Sequence, residues 1–312
     1  MIVASANFRV TFRSASRPLH VGDSKAATFR VRGVANGTSA KLKAAETLVK
    51  LSYRKHGRLL DDAALVDTVG VMSNASLYPL KFKPRLVAKI WGGRKIETVL
   101  GKALPAEKQI GESWEIYDFP PGVCEPGDQW ISAEVANGPL KGKTLHQLVE
   151  SFGPALLGQV ATVGPDRQFP ILIKFLDARE DLSVQVHPDA AYAASHPGAH
   201  LKTEAWYVVE SDPGSRIYKG LKPGATRESF RAAIERGACE DELAAIATKP
   251  GQCFFLPSGM VHALGEGILV AEVQTPSDTT FRVSAFHRLE PAPGQLRALH
   301  LEPALACLDF RG

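Results

Sequence analysis

Downstream of residue 77 the chain is punctuated by short apolar runs: LVAKIW (86–91), SWEIYDF (113–119), ILIKFLDA (171–178), LSVQVHP (182–188), EAWYVVE (204–210), QCFFLP (252–257), ILVAEVQ (268–274) and FRVSAFH (281–287). Each is of strand length and is bounded by Gly, Pro, Asp or Ser, which is strand patterning with turn chemistry at its ends. Helical periodicity is confined to three inserts. TLHQLVESFGPALLG (144–158) has Thr144 in the N-cap position, 227–236 lies between Thr226 and Gly237, and 241–247 is stopped by Lys249-Pro250-Gly251. Many short strands with helices gathered in inserts predict an all-β fold, a β-sandwich or jelly-roll barrel with a small helical insert.

The first 71 residues break this pattern. Only 39–51 (SAKLKAAETLVKL) suggests an element, a short helix with Leu42, Ala45, Leu48 and Val49 on one side. Residues 1–71 are therefore expected to be a largely irregular extension outside the core, with 72–312 as the folded domain and Met72 as a possible natural start. The rival expectation is an organelle transit peptide, since residues 1–20 are rich in Arg, Ser and Ala and contain no acid.

Charge sharpens the same boundary. Residues 1–71 carry 12 Lys+Arg and 5 Asp+Glu, a net of +7, which leaves 25 and 28 for the remainder, a net of −3. The overall +4 thus belongs to the extension, where the basic residues are scattered and no nucleic-acid-binding motif accompanies them. No apolar run approaches the length of a membrane span. Four well-separated cysteines (Cys124, Cys239, Cys253, Cys307) form no CxxC pair, which excludes a cysteine zinc finger and a disulfide framework and suits a reducing cytoplasm. No GxGxxG or Walker loop follows a strand. The expected partner is a small molecule, with no nucleic acid and no membrane.

The chemistry concentrates in four residues. Gln185 and His187 lie two apart on a predicted strand and so leave it on one face, while Val184 and Val186 face another layer. Glu204 opens the next strand. In GQCFFLPSGMVHAL, the spacing Gly251-x5-Pro257-x-Gly259-x2-His262 describes a tight turn that aims an imidazole back toward the interior. Two imidazoles, a carboxylate and an amide oxygen make a mixed N/O donor set that suits Zn²⁺, with Mn²⁺, Co²⁺ or Fe²⁺ as alternatives. Taken singly, each His would more readily be an ordinary half-buried histidine; the four together favour one metal ion per chain.

The turn motif around His262 resembles the second cupin motif, with the QVH strand in the place of the first. The segments LYPLKFKP (77–84), KIWGGRK (89–95), GESWEI (111–116), FPILIKFLDAREDLSVQVHP (169–188), KTEAWYV (202–208), FLPSGMVHALG (255–265) and EVQTPSDTTFRV (272–283) are similar, in order, to the short bacterial form of type I mannose-6-phosphate isomerases. The resemblance implies Gln185, His187, Glu204 and His262 as metal ligands. It also implies Zn²⁺-dependent interconversion of mannose 6-phosphate and fructose 6-phosphate through an enediolate. Two departures stand out. The family's His-Lys-Pro-Glu is here Leu201-Lys202-Thr203-Glu204, with His200 shifted by one, and a second cupin half is expected to be missing beyond LHLEPALACLDFRG, which makes self-association to cover an exposed face an expectation.

Aldose–ketose isomerisation needs a proton shuttled between C1 and C2. Lys174, Lys202 and Glu272 are the candidates, and the sequence leaves open which is the base. Lys174, on ILIKFLDA, is expected to be desolvated toward the neutral amine unless it snorkels at an edge. Lys202 shares a face with Glu204 unless it belongs to a mobile loop. Glu272 is a base or a paired structural carboxylate. Arg282 offers a guanidinium fork to a phosphate or charged intermediate, or else pairs with Asp278. Trp91-Gly92-Gly93, Glu112 and Trp114 are expected to support the site. Two other functions compete with the isomerase: a non-catalytic metal-binding cupin that senses or binds sugar phosphate, and a metal-dependent dioxygenase, against which Gln185 as a fourth ligand argues.

Overall fold

The computed structural model describes residues 77–124, 129–158, 167–286 and 297–310 in full, and of the earlier chain the backbone of four strands. It divides into two compact units, Met1–Lys83 with Glu134–Ala161, and Pro84–Ala133 with Thr162–Gly312.

The first unit contains the strands β1 (Ile2–Ser5), β2 (Phe8–Phe12), β3 (Ala27–Gly33), β4 (Leu48–Leu51) and β5 (Leu80–Lys81), ordered β4-β3-β2-β1-β5. The extension expected to be largely irregular thus carries four strands, and its other residues lie outside the described ones. In FRVTF and TFRVR apolar and polar residues alternate with period two, a strand pattern that the Arg/Ser/Ala composition masks. The helix expected over 39–51 fails at its end, where Leu48–Leu51 pairs with β3, and its remainder lies outside the described residues.

The second unit holds β6 (Arg85–Gly93), β7 (Ile110–Ile116), β8 (Asp118–Phe119), β9 (Ile131–Ser132), β10 (Leu172–Ala178), β11 (Val184–Val186), β12 (Glu204–Ser211), β13 (Arg216–Leu221), β14 (Leu243–Ala247), β15 (Cys253–Leu256), β16 (His262–Leu264), β17 (Ile268–Gln274) and β18 (Phe281–Ser284). They form a six-stranded sheet, β15-β12-β17-β10-β6-β7, and a five-stranded one, β14-β13-β16-β11-β18, both antiparallel. Among the described residues the helices are α1 (Lys95–Thr98), α2 (Leu145–Phe152), α3 (Pro154–Leu157), α4 (Ala190–Ser195), α5 (Arg227–Glu235) and α6 (Leu301–Cys307), none long and apolar enough to cross a membrane.

Capping chemistry sets two helix starts where the sequence predicts them. Thr144 Oγ1 accepts from Gln147 N while the Gln147 side chain accepts from Thr144 N, and Thr226 forms the same reciprocal box with Ser229. Gly153, in the left-handed region at φ 39°, breaks the first helix before Pro154 restarts it. The helix expected over 241–247 is instead a 3₁₀ turn, Cys239–Glu242, followed by β14, because LAAIA pairs with β13 and its burial alternates. Sheet pairing overrides the helical preference of the alanines.

The five-stranded sheet is covered on both faces. Val184, Val186, Ala263 and Val283 pack with Phe230 and Ile234 of α5 and Leu305 of α6. On the opposite face Ile217 and Leu264 join Leu176, Trp206, Val208 and Val270 of the six-stranded sheet in a shared core. The β6–β7 crossing depends on glycine. A Cβ on Gly92 would lie 2.4 Å from Gly111 N and 2.5 Å from Ile110 C, and one on Gly93 would strike Asp177, whose Oδ2 accepts from Ile96 N at the start of α1. Gly92→Ala should therefore destabilise the protein by about 1–3 kcal/mol, read as a lower midpoint in chemical denaturation; unchanged stability would mean the strands can part at no cost.

Candidate metal centre

Strand register assembles the site. Gln185 on β11 stands opposite His262 on β16 and, on its other side, opposite Arg282 on β18, so the three side chains form one row. His187 follows two residues after Gln185. Glu204 begins β12 in the facing sheet, paired with Leu256 and Gln274. Gly259, in the turn before His262, has φ +83°, donates its N–H to His187 O at 2.9 Å, and has no room for a Cβ, which would lie 2.9 Å from Cys307 O. The turn glycine thus ties the two histidine-bearing segments together.

His187, Glu204 and His262 bring one donor atom each to within 4.8 Å of one another, and all three residues are at most 2% exposed. Each imidazole is oriented from behind: Nδ1 of His187 donates to Thr279 O at 3.0 Å, and Nδ1 of His262 donates to Met260 O at 2.9 Å. A carbonyl can only accept, so the proton resides on Nδ1 and each Nε2 turns a lone pair inward. His262 Nε2 then faces Glu204 Oε1 at 3.0 Å, and His187 Nε2 faces Glu204 Oε2 at 3.5 Å, lone pairs toward lone pairs. His187 Nε2 and both Glu204 oxygens are buried without a hydrogen bond; Lys202 Nζ, 3.2 Å from Oε2, lacks hydrogen-bond geometry. Such groups are costly to bury unless coordinated. A divalent cation satisfies all of them at once, so the residues fit the metal. The amide of Gln185 places Nε2 at 3.3 Å from His262 Nε2, and a half-turn would present its oxygen instead.

The electrostatics favour ligating forms. Burial, followed by the charge of Lys202, pushes the His187 imidazole down to about 3, which keeps it neutral. For Glu204, burial opposes ionisation, but the charge of Lys202 foremost outweighs it and holds the carboxyl well below its ordinary range.

Beside these groups runs a buried row on the six-stranded sheet: Trp114, Lys174, Glu272 and Trp206 stand opposite one another on β7, β10, β17 and β12. Lys174 Nζ lies 3.2 Å from Glu272 Oε1 and 3.6 Å from Glu112 Oε2. The expectation of a neutral Lys174 is corrected here. Burial does favour the amine, but Glu112 and Glu272 outweigh it and raise the pKa, so the side chain stays ammonium. Glu112 is held at about 2: burial works against ionisation, and Lys174, Lys89 and the Trp114 indole overcome it. Glu272 moves the other way, raised first by burial and then by the nearby Glu204 charge, with Oε2 accepting from Trp206 Nε1 at 2.8 Å. Sequence reasoning misses Trp206, although its position two residues after Glu204 places it on the same face. Arg282 Nη1 donates to Ala298 O at 2.9 Å. His200 contributes backbone groups to the loop, its N–H to Thr279 Oγ1 and its carbonyl to the Ser277 hydroxyl.

A family model for the catalytic domain of type I phosphomannose isomerase matches residues 80–214. The Bacillus subtilis protein named "Probable mannose-6-phosphate isomerase GmuF" is 40% identical over 235 residues, 75% of this chain and 69% of that protein. A Streptococcus mutans mannose-6-phosphate isomerase is 39% identical over 232 residues, 74% and 68% of the respective chains. The chain belongs to the type I mannose-6-phosphate isomerase family. Its fold agrees: the crystal structure of the mannose 6-phosphate isomerase from Bacillus subtilis superposes with a TM-score of 0.65 at 35% identity, covering 75% of this chain and 69% of that one.

For this family member, a divalent cation at 100 times its dissociation constant should stabilise the fold by about 2.7 kcal/mol. Thermal melts with and without chelator check this. His187→Ala and Glu204→Gln should abolish the shift, and elemental analysis should find metal in the unsubstituted chain alone.

Proposed function

We propose that this chain interconverts mannose 6-phosphate and fructose 6-phosphate, with Gln185, His187, Glu204 and His262 holding one Zn²⁺ between two sheets that form a cupin-type jelly roll; Mn²⁺, Co²⁺ or Fe²⁺ could take the same donors. The observation that carries this is the convergence of His187, Glu204 and His262 with inward lone pairs and no hydrogen-bond partners for His187 Nε2 and the carboxylate. A bound divalent ion supplies Lewis-acid stabilisation of negative charge on the sugar's C1 and C2 oxygens.

The remaining work falls to the chain's own groups. Glu272 is the base of this proposal. Its raised pKa suits proton exchange nearer neutral pH than an ordinary carboxylate allows. Oε2 is engaged by Trp206, which leaves Oε1 to take the proton from one sugar carbon and return it to the other. Lys174, an ammonium 3.2 Å from that oxygen, steadies the carboxylate form and the negative charge developing on the substrate. Lys202, buried beside Glu204, keeps the liganding carboxylate ionised. Arg282, in the row with Gln185 and His262, presents its fork to the phosphate or to the enediolate.

A coupled assay in both directions tests this: turnover should vanish with chelator and return with Zn²⁺, and a metal-loaded chain with no turnover would overturn the isomerase assignment. Glu272→Gln should lower kcat by about 10²–10⁴-fold. In the parent protein kcat/KM should fall as pH drops through the raised Glu272 pKa, because the base must be ionised; that acidic limb should be absent from the residual activity of Glu272→Gln.

A further inference from the structure

Arg282 is gripped by a segment that plays no part in the chemistry above. Residues 297–300 pass alongside β18, and His300 makes two backbone-level contacts with Arg282: its ring Nδ1 accepts from Arg282 N at 3.2 Å, and its own N–H donates to Arg282 O at 2.8 Å. Two residues earlier, Ala298 O accepts from Arg282 Nη1 at 2.9 Å. The strap is therefore bonded to both the main chain and the guanidinium of one residue.

It is also firmly anchored. From His300 the chain enters α6, whose Ala304, Leu305 and Cys307 are buried against β11 and β18. Glu302 receives both terminal nitrogens of Arg231, at 2.6 and 2.8 Å. Asp309 N donates to Gly259 O at 2.9 Å, the glycine whose N–H meets His187 O. One continuous strap thus runs from Arg282 to the turn that joins the two metal-ligand segments. The His300 ring packs 6.2 Å from Phe281, which in turn packs against Tyr192.

We propose that His300 is a positioning residue of the isomerase site: its unprotonated Nδ1 fixes the backbone of Arg282, so that the strap's Ala298 carbonyl can hold the guanidinium in its working orientation. Nδ1 must be free of a proton to accept, and burial, followed by the charge of Arg282, lowers the His300 pKa and preserves that form. A fork aimed by an anchored carbonyl need not be ordered anew at each turnover.

This inference rests on Arg282 acting in the reaction, and the test separates the two. His300→Phe keeps a ring against Phe281 but removes the acceptor, whereas His300→Asn removes the ring and keeps an acceptor at the same reach. His300→Phe should lower kcat/KM for fructose 6-phosphate by about tenfold or more, with bound metal unchanged, and His300→Asn should stay near the parent. The reverse pattern would reduce His300 to packing and overturn the proposal. In an Arg282→Lys background, His300→Phe should add little further loss; a full additive loss would overturn it as well. Parent-level activity in Arg282→Lys and Arg282→Ala would overturn the role of Arg282 itself, and this proposal with it.

Discussion

A carboxylate and two imidazoles, buried with their lone pairs facing one another, is the arrangement on which this structure depends. Glu204 is committed to its charged form by Lys202, yet that lysine alone cannot justify its burial. At 3.2 Å and an effective dielectric of about 20, the attraction is worth about 5 kcal/mol. Desolvating the two ions costs several kcal/mol each. The deficit is enlarged by the imidazoles, whose protons are committed to the Thr279 and Met260 carbonyls and so cannot be offered to Glu204. A cation between the donors removes the conflict, and without one the unmet groups remain a standing cost in the middle of the core.

The fold keeps that conflict in place through strand alternation. In Val184-Gln185-Val186-His187 the two valines enter the helix-covered core while the polar pair faces the other sheet. A register slip of one residue would send the donors into the apolar cluster with Phe230 and Leu305 and turn the valines into the site. This segment is therefore pinned twice, by the burial of its valines and by the partners that Gln185 and His187 find opposite.

Much of this is legible in the chain. The run ILVAEVQ coincides with β17 from end to end, and the two-residue spacing of Gln185 and His187 is enough by itself to give them a shared face. What escapes has physical causes. β16 has three residues and β14 is mostly alanine, too short or too ambiguous for periodicity to register, and pairing with β13 decides both. The charge of Lys174 does not follow from the apolar run around it. The carboxylates that hold its proton arrive from other strands, Glu112 on β7 and Glu272 on β17. The Thr279 and Met260 carbonyls are equally invisible, since backbone acceptors carry no residue-type signature.

The buried charges also explain why one carboxyl differs from the others. Glu112, Glu204 and Glu272 share the interior with two ammonium groups, Lys174 and Lys202. Glu112 is flanked by Lys174 and Lys89, and the charge of Lys202 faces Glu204, so both carboxyls are held below their ordinary range. Glu272 carries the surplus: it shares Lys174 with Glu112 and feels the Glu204 charge, and its pKa rises. Of these three carboxyls, Glu272 is thus the one left over when the neighbouring charges have been matched, and the one whose pKa rises. A divalent ion held by Glu204 would turn the small negative surplus into a positive one, the sign that an anionic sugar phosphate and its enediolate require. On the proposed function, metal retention, proton exchange and attraction of an anionic substrate would share a single distribution of charge between two sheets.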